Sequence, residues 1–189
     1  MRWTDALYVC LLLVPMAASP AQEFGRPATA DEIRLWDIDV APDGTGLPAG
    51  SGTVAQGKEI YQTHCRACHG EKGVGGMFDR LAGGQGSLAS AAPVKTVGSF
   101  WPYATTLFDY IRRAMPYPAP GSLSTEDTYS VAAYILNLNG ILPDDGSLDE
   151  RTLPQVQMPN RNGFVPDPEF APATPPLPRD AAVPSRPLK

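Results

Sequence analysis

The chain has 189 residues, 43% of them hydrophobic, and a formal net charge of −5. This length allows one domain with a core of ordinary size. An acidic chain is repelled by nucleic-acid phosphates, so nucleic-acid binding is not expected. Three cysteines are too few for the disulfide framework common in small exported proteins.

The first 21 residues, "MRWTDALYVCLLLVPMAASPA", have the pattern of a secretory signal peptide. Arg2 supplies the basic end, a short apolar run follows, and small residues precede a predicted cleavage after Ala21. An uncleaved anchor is the alternative, but the run is short for a bilayer span. We therefore expect export to the periplasm without stable membrane insertion. Cys10 would be removed with the signal.

Residues 22–50 are predicted to form an extended arm, because proline, glycine and aspartate place turn signals every few residues. Trp36, Ile38 and Val40 alternate, which is compatible with a short strand or a docked extended piece. The arm and a proline-rich tail at 166–189 are expected to serve partner docking rather than domain stability. The alternative is that the arm packs over the domain with Trp36 buried and the tail has no role.

A helical domain is predicted between these extensions, over residues 51–145. Thr53 and Gln56 have capping-box spacing at the start of a first helix. Apolar residues at helical spacing predict a second helix over 103–115, and Ser124 and Gly140 bound a third. Residues 70–99 are glycine-rich and read as loop, and 146–165 as a docked C-terminal segment.

The stretch "CRACH" carries the chemistry of the chain. On a helix, Cys65, Cys68 and His69 project from one face. Two thioether bonds would hold the edge of a porphyrin there, and the imidazole would bind its iron. C-x-x-C-H is the attachment signature of c-type haem. We therefore predict one covalent haem c.

Other uses of these cysteines fit less well. A structural zinc site needs four N or S ligands, and only His64 and His69 are left to join the two cysteines. A thioredoxin-like dithiol needs an α/β setting, and no such pattern is present. His64 is read as an exposed surface residue, because it points about 100° away from Cys65 on a helix.

The sixth iron ligand is predicted to be Met115, with Met158 as the fallback. A methionine thioether raises the reduction potential of haem iron. Met77 follows His69 too closely to pass round the haem edge. Met115 follows a helix and precedes Pro116, whose fixed backbone suits a ligand loop. Met158 also precedes a proline and lies where a C-terminal segment can return to the haem.

Two aromatic side chains are candidates for the haem propionates. Trp101 offers an indole N–H and Tyr103 a hydroxyl, both suited to bind a buried carboxylate. Arg112 and Arg113 are weaker candidates, since solvated arginines are the ordinary case.

Several phrases together resemble a known family. "LWDIDVAPDGTGLPAGSGTVAQGKEIYQTHCRACHGEKG", "PVKTVGSFWPYATTLFDYIRRAMPYPAPGSLSTEDTYSVAAYILNLNGIL" and "MPNRNGF" resemble the SoxD-like c-type cytochrome subunit of Sox-type sulfane or sulfite dehydrogenases. The likeness runs from about residue 30 to 165. It implies an all-α, class I cytochrome c fold in which Cys65 and Cys68 attach haem, with His69 and Met115 on the iron.

The resemblance also implies a function. The chain would pass single electrons from a molybdenum-containing sulfite or sulfane dehydrogenase subunit to a downstream acceptor in sulfur-compound oxidation. Some members of the family carry two haem domains, whereas this chain has one C-x-x-C-H motif, which leaves the partner open. The alternatives are a thiosulfate-oxidising or peroxidase-type haem enzyme with an exchangeable sixth ligand, and a gas-binding sensor.

Overall fold

The computed structural model describes residues 25–167. They fall into two compact units, one ending at Ile38 and one beginning at Asp39. The predicted signal peptide and nearly all of the predicted proline-rich tail lie outside the described residues. None of the described helices is both long and apolar enough to cross a membrane.

The first unit contains a short helix where the sequence predicts extended chain. Helix α1, Ala30–Trp36, begins with a complete capping box between Thr29 and Glu32. Local hydrogen bonding therefore overrides the turn-rich composition. None of its residues is buried, and Trp36 is 86% exposed.

The second unit is mostly helical, as predicted. It contains α2 (Val54–His64), α3 (Arg66–His69), α4 (Ala104–Ala114) and α5 (Thr125–Leu138), with one 3-10 turn at Leu153–Gln155. A minor sheet was not predicted: β1 (Ser51–Thr53) pairs antiparallel with β2 (Ser147–Asp149). Strands of three residues are too short to show the alternation of apolar and polar residues that predicts a strand.

The caps predicted from sequence are present. The Thr53 hydroxyl accepts from the Gln56 N–H, and the Gln56 side chain accepts from the Thr53 N–H. At the other long helix, the Ser124 hydroxyl accepts from the Asp127 N–H. Gly140 follows α5 with a φ of 69°, a left-handed conformation that suits glycine.

Helices α2 and α5 cross at close range and form the centre of the unit. A Cβ added to Gly57 would lie 1.8 Å from the Ser130 carbonyl oxygen, so only glycine allows this approach. One turn further, the rings of Tyr61 and Tyr134 meet at 5.2 Å between centroids. This crossing holds the end of α2, and thus the C-x-x-C-H motif, against α5.

Residues 39–50 pack on the helical domain, which corrects the expectation that the whole arm stays out of the core. Val40 is buried among the core residues, and its N–H donates to the Asp109 carboxylate at 3.1 Å. The Tyr129 hydroxyl donates to the Pro48 carbonyl at 2.9 Å. The stable part of the second unit therefore begins at about residue 39.

The C-terminal segment docks on the loop that precedes α4, in agreement with the predicted docked segment. Met158 is 3% exposed within the core. The Asn160 amide donates to the Phe100 carbonyl at 2.7 Å, and the Phe164 ring meets that of Phe100 edge-on at 5.2 Å.

Candidate cofactor site

The C-x-x-C-H motif forms a single helical turn at the end of α2. Cys65 caps α2, and its carbonyl accepts from the N–H groups of Cys68 at 3.1 Å and His69 at 3.0 Å. This geometry brings the two thiols and the imidazole to one face, as the spacing predicts. The chain then bends back, because the Phe78 N–H donates to the Cys68 carbonyl at 3.1 Å.

The imidazole of His69 is held by a backbone carbonyl. Its Nδ1 lies 2.9 Å from the Asp79 carbonyl oxygen. A carbonyl only accepts, so Nδ1 carries the proton and Nε2 keeps a free lone pair for a metal. The Tyr61 hydroxyl donates to the Gly70 carbonyl at 2.8 Å and ties the end of the motif to α2.

The motif opens onto a cavity of about 550 Å³, within the range of sites that bind cofactors. His64, Cys65, Cys68 and His69 line one part of it. Its walls are otherwise largely apolar and come from the loop after the motif, from α4 and from α5: Phe78, Leu81, Val97, Phe100, Trp101, Leu107, Tyr110, Ile111, Leu123, Val131 and Ile135.

The two candidate sixth ligands have different surroundings. Met115 follows α4 in extended backbone and lines the cavity together with Pro116, Tyr117 and Pro118. Met158 does not line the cavity and belongs to the hydrophobic core. The geometry therefore favours Met115, whose role as an iron ligand stays a prediction. Met77, excluded on sequence grounds, is 80% exposed.

The residues predicted to contact the haem propionates also differ in whether they line the cavity. Trp101 lines the cavity, and its ring meets that of Tyr110 edge-on at 5.8 Å. Tyr103 lies outside the lining, with the Arg161 guanidinium 5.1 Å above its ring. Arg112 and Arg113 are not among the lining residues either, and Arg113 pairs with the Asp109 carboxylate. Of the candidates named from sequence, only Trp101 lines the cavity.

Asn139 anchors the loop that forms one wall of the cavity, a role that the sequence did not reveal. Its side-chain amide donates to the carbonyls of Leu81, at 3.0 Å, and Ile135, at 2.9 Å. Its side-chain oxygen accepts from the Gly83 N–H at 3.2 Å and from Gln85 at 3.3 Å. An asparagine directly after a helix and before a glycine is typical of a helix cap. The sequence therefore does not predict its hydrogen bonds to the loop.

The inner face of α5 was also missed. Val131 and Ile135 of this helix line the cavity. The helix is buried over most of its circumference. The available signal was its nearly continuous apolar run, which indicates burial on more than one face.

The donors in the cavity fit a haem. Both cysteines are free thiols, and burial, helped by the neighbouring Cys68, raises the pKa of the Cys65 thiol to about 11. A thiol of this kind stays protonated at neutral pH, unlike a redox-active dithiol. Within residues 25–167, no group of three or more His, Cys, Asp or Glu side chains is arranged to hold a metal ion. Two thiols, an imidazole and a thioether around an apolar space fit a haem.

Comparison with known proteins agrees with this fit. Residues 52–135 match the family described as cytochrome c oxidase, cbb3-type, subunit III. A chain in the crystal structure of the sulfane dehydrogenase SoxCD from Paracoccus pantotrophus is 42% identical, with a TM-score of 0.72, and the match covers 86% of this chain and 83% of that one.

A more distant similarity links the chain to an enzyme. The thiosulfate dehydrogenase of Stutzerimonas stutzeri (strain A1501) is 32% identical over 134 residues, which cover 59% of this chain and 41% of that protein. The chain therefore spans only about two fifths of the length of this curated relative.

Proposed function

Because this chain belongs to the SoxD-like cytochromes c of Sox-type sulfane dehydrogenases, we propose that it is a periplasmic monohaem electron carrier. It accepts single electrons from a dehydrogenase subunit that oxidises a sulfur compound and passes them to a downstream acceptor. The proposed donor is a molybdenum-containing sulfite or sulfane dehydrogenase. The proposed location rests on the signal-like residues 1–21.

One observation carries the proposal: a single cavity is lined by both thiols, by His69 and by Met115. A haem bound there supplies one-electron redox chemistry at its iron. If His69 and Met115 both held the iron, no position would be left for a substrate, which would suit electron transfer rather than catalysis at the metal.

The residues of the chain contribute binding, orientation and exclusion of water. The thiols of Cys65 and Cys68 would provide the covalent attachment. The Asp79 carbonyl fixes the tautomer and orientation of His69, which is the usual role of a hydrogen bond to the second nitrogen of a ligand imidazole. The apolar walls from α4 and α5 lower the dielectric constant inside the cavity. Burial of a haem in such surroundings would shift its reduction potential.

Covalent attachment is tested by removing both thiols. We expect the Cys65→Ala/Cys68→Ala variant to be exported without haem and largely unfolded, because the cofactor would fill the apolar cavity between the motif, α4 and α5. Haem-dependent peroxidase staining on a denaturing gel, with circular dichroism on the purified chains, measures this. A cooperative thermal transition in the colourless variant would contradict the coupling of folding to haem binding.

The donor is tested by reduction in the assembled complex. The wild-type protein, used as bait in a periplasmic extract, should retain a subunit that contains a molybdenum cofactor. Sulfite or a sulfane compound should then reduce the haem. Retention of no such subunit, together with full reduction by an unrelated donor, would argue for a free-standing carrier.

A second candidate is a thiosulfate-oxidising cytochrome, which the similarity to thiosulfate dehydrogenase favours. This function requires an exchangeable sixth position. Carbon monoxide distinguishes the two, because it binds a reduced haem only where the sixth ligand leaves readily. An immediate spectral shift of the reduced wild-type protein under carbon monoxide, with thiosulfate turnover by the isolated chain, would favour the enzyme.

A further inference from the structure

Haem carries two propionate carboxylates, and an ionised carboxylate in a partly apolar site needs a cation or several hydrogen-bond donors. Apart from His69, three basic residues line the cavity, His64, Arg80 and Lys95, together with one acid, Asp79. We propose that Lys95, together with the indole N–H of Trp101, binds the carboxylates of the haem. The inference rests on the proposed function, since it requires a haem in this cavity.

The backbone beside Lys95 is fixed by two buried hydroxyl groups. The Thr96 N–H donates to the Ser99 hydroxyl at 2.9 Å, and the Ser99 N–H donates to the Thr96 hydroxyl at 3.2 Å. These hydroxyls donate in turn to the carbonyls of Gly83 and Val94, each at 2.6 Å. Lys95 therefore starts from a preorganised position, which reduces the entropy lost when its side chain binds a ligand.

The Lys95 side chain lies at the cavity, over an aromatic ring. Its Nζ is 4.9 Å from the centroid of the Phe100 ring, which itself lines the cavity. In the part of the chain that the structure describes, no carboxylate is within ion-pair distance of it. A solvated lysine over an aromatic ring can move its charge to a nearby carboxylate at little cost.

The other two basic residues are less suitable. His64 directly precedes Cys65 and so lies at the edge where the thioethers form, whereas the propionates leave the porphyrin away from that edge. Arg80 directly follows Asp79, whose carbonyl holds His69, and Asp79 is itself a lining residue of the cavity. An acid beside Arg80 makes that part of the wall less favourable for a second carboxylate.

Lys95 and Trp101 belong to a different wall from the motif. The hydrogen bonds and ring contacts of residues 95–101 lead to Gly83, Asn160 and Tyr110. The edge-on contact with Tyr110, at an interplanar angle of 89°, fixes the plane of the indole. One charged donor and one neutral donor thus lie on the same segment, in an arrangement suited to a carboxylate.

This assignment has an electrochemical consequence. Propionate charge favours the oxidised iron, and a neighbouring ammonium group offsets part of that charge. Lys95 should therefore raise the reduction potential. The variant K95Q removes the charge with a similar side-chain length, K95R keeps the charge, and K58Q removes an exposed lysine on α2 that does not line the cavity.

The experiment measures the reduction potential of the purified holoproteins and the propionate bending band in their resonance Raman spectra. We expect K95Q to shift the reduction equilibrium about threefold towards the oxidised form, or about 30 mV at 59 mV per tenfold change for one electron. Its propionate band should also shift. K95R should retain both properties, and K58Q should change neither.

A different pattern among these variants would contradict the assignment of Lys95. If K95Q has the wild-type potential and propionate band while R80Q changes them, Arg80 and not Lys95 binds the carboxylates, and the inference is wrong. Wild-type protein without haem, shown by absence of a pyridine haemochrome, would instead overturn the proposed function. The two failures are therefore distinguishable.

Discussion

At the residue scale, the position of the cavity distinguishes Met115 from Met158 as candidate iron ligands. The sequence alone leaves both as candidates. Both precede a proline. Met115 leaves α4 at the cavity, whereas Met158 fills a space in the core. The path of the chain between residues 116 and 157 decides which thioether is near His69. No local sequence pattern predicts that path.

The first prediction compares Met115→Ala with Met158→Ala. We expect M115A to keep its haem but to lose the far-red sulfur–iron band, to bind carbon monoxide, and to fall in potential by on the order of 0.1 V, within the roughly 0.8 V that axial ligands span. M158A should keep the band and lose roughly 2–5 kcal/mol of stability, because it creates a core cavity. Optical spectra, redox titration and thermal melts measure these effects. The reverse pattern would move the ligand to the C-terminal segment.

At the element scale, the crossing of α2 and α5 places the haem-binding motif. Gly57 allows the two backbones to touch, and the ring contact between Tyr61 and Tyr134 continues the crossing towards the motif. Burial raises the pKa of Tyr61 to about 12, so its hydroxyl stays protonated and donates to the Gly70 carbonyl throughout the neutral range.

The second prediction is that Gly57→Ala destabilises the holoprotein by roughly 3 kcal/mol, because the new methyl group overlaps the Ser130 carbonyl. Helix propensity alone predicts the opposite sign, a gain of about 1 kcal/mol. Lys58→Ala, at the exposed neighbouring position, is the control and should change stability by less than about 0.5 kcal/mol. Denaturant unfolding followed by haem absorbance measures both. A stabilised G57A protein would show that the helices can separate without cost.

At the scale of the whole molecule, the N-terminal arm has two parts with different roles. Residues 39–50 belong to the stable domain through Val40 and the hydrogen bonds to Asp109 and Tyr129. Helix α1 has no buried residue, and the side chains of Leu35 and Trp36 are 76% and 86% exposed. A helix of seven residues is marginal in water by itself.

The third prediction therefore concerns two truncations of the mature chain. Removal of residues 22–38 should leave the melting temperature unchanged and weaken binding to the dehydrogenase, since none of the residues 25–38 is buried and Leu35 and Trp36 are exposed apolar side chains. Removal of 22–50 also exposes core around Val40, worth roughly 2 kcal/mol, and should lower the melting temperature by roughly 10 °C. Calorimetry and surface plasmon resonance with the captured partner measure the two effects. Unchanged affinity in the shorter truncation would show that α1 does not dock.

The sequence by itself determined the features that depend on neighbours within about four residues. The spacing of Cys65, Cys68 and His69 predicts the chemistry of the site, and the Thr53–Gln56 and Ser124–Asp127 patterns predict where two helices begin. These interactions are completed inside one helical turn, so their geometry follows from the spacing alone.

The tertiary structure decided the features that join distant segments. It selected Met115 over Met158 at the cavity, brought the Asp79 carbonyl to His69, and placed Val40 on Asp109, 69 residues away. It also placed Lys95 at the cavity and Tyr103 outside it. Each of these contacts depends on the path that the chain takes through glycine-rich loops and helix crossings. The partner of a backbone carbonyl or of an exposed lysine cannot be predicted from a local residue pattern.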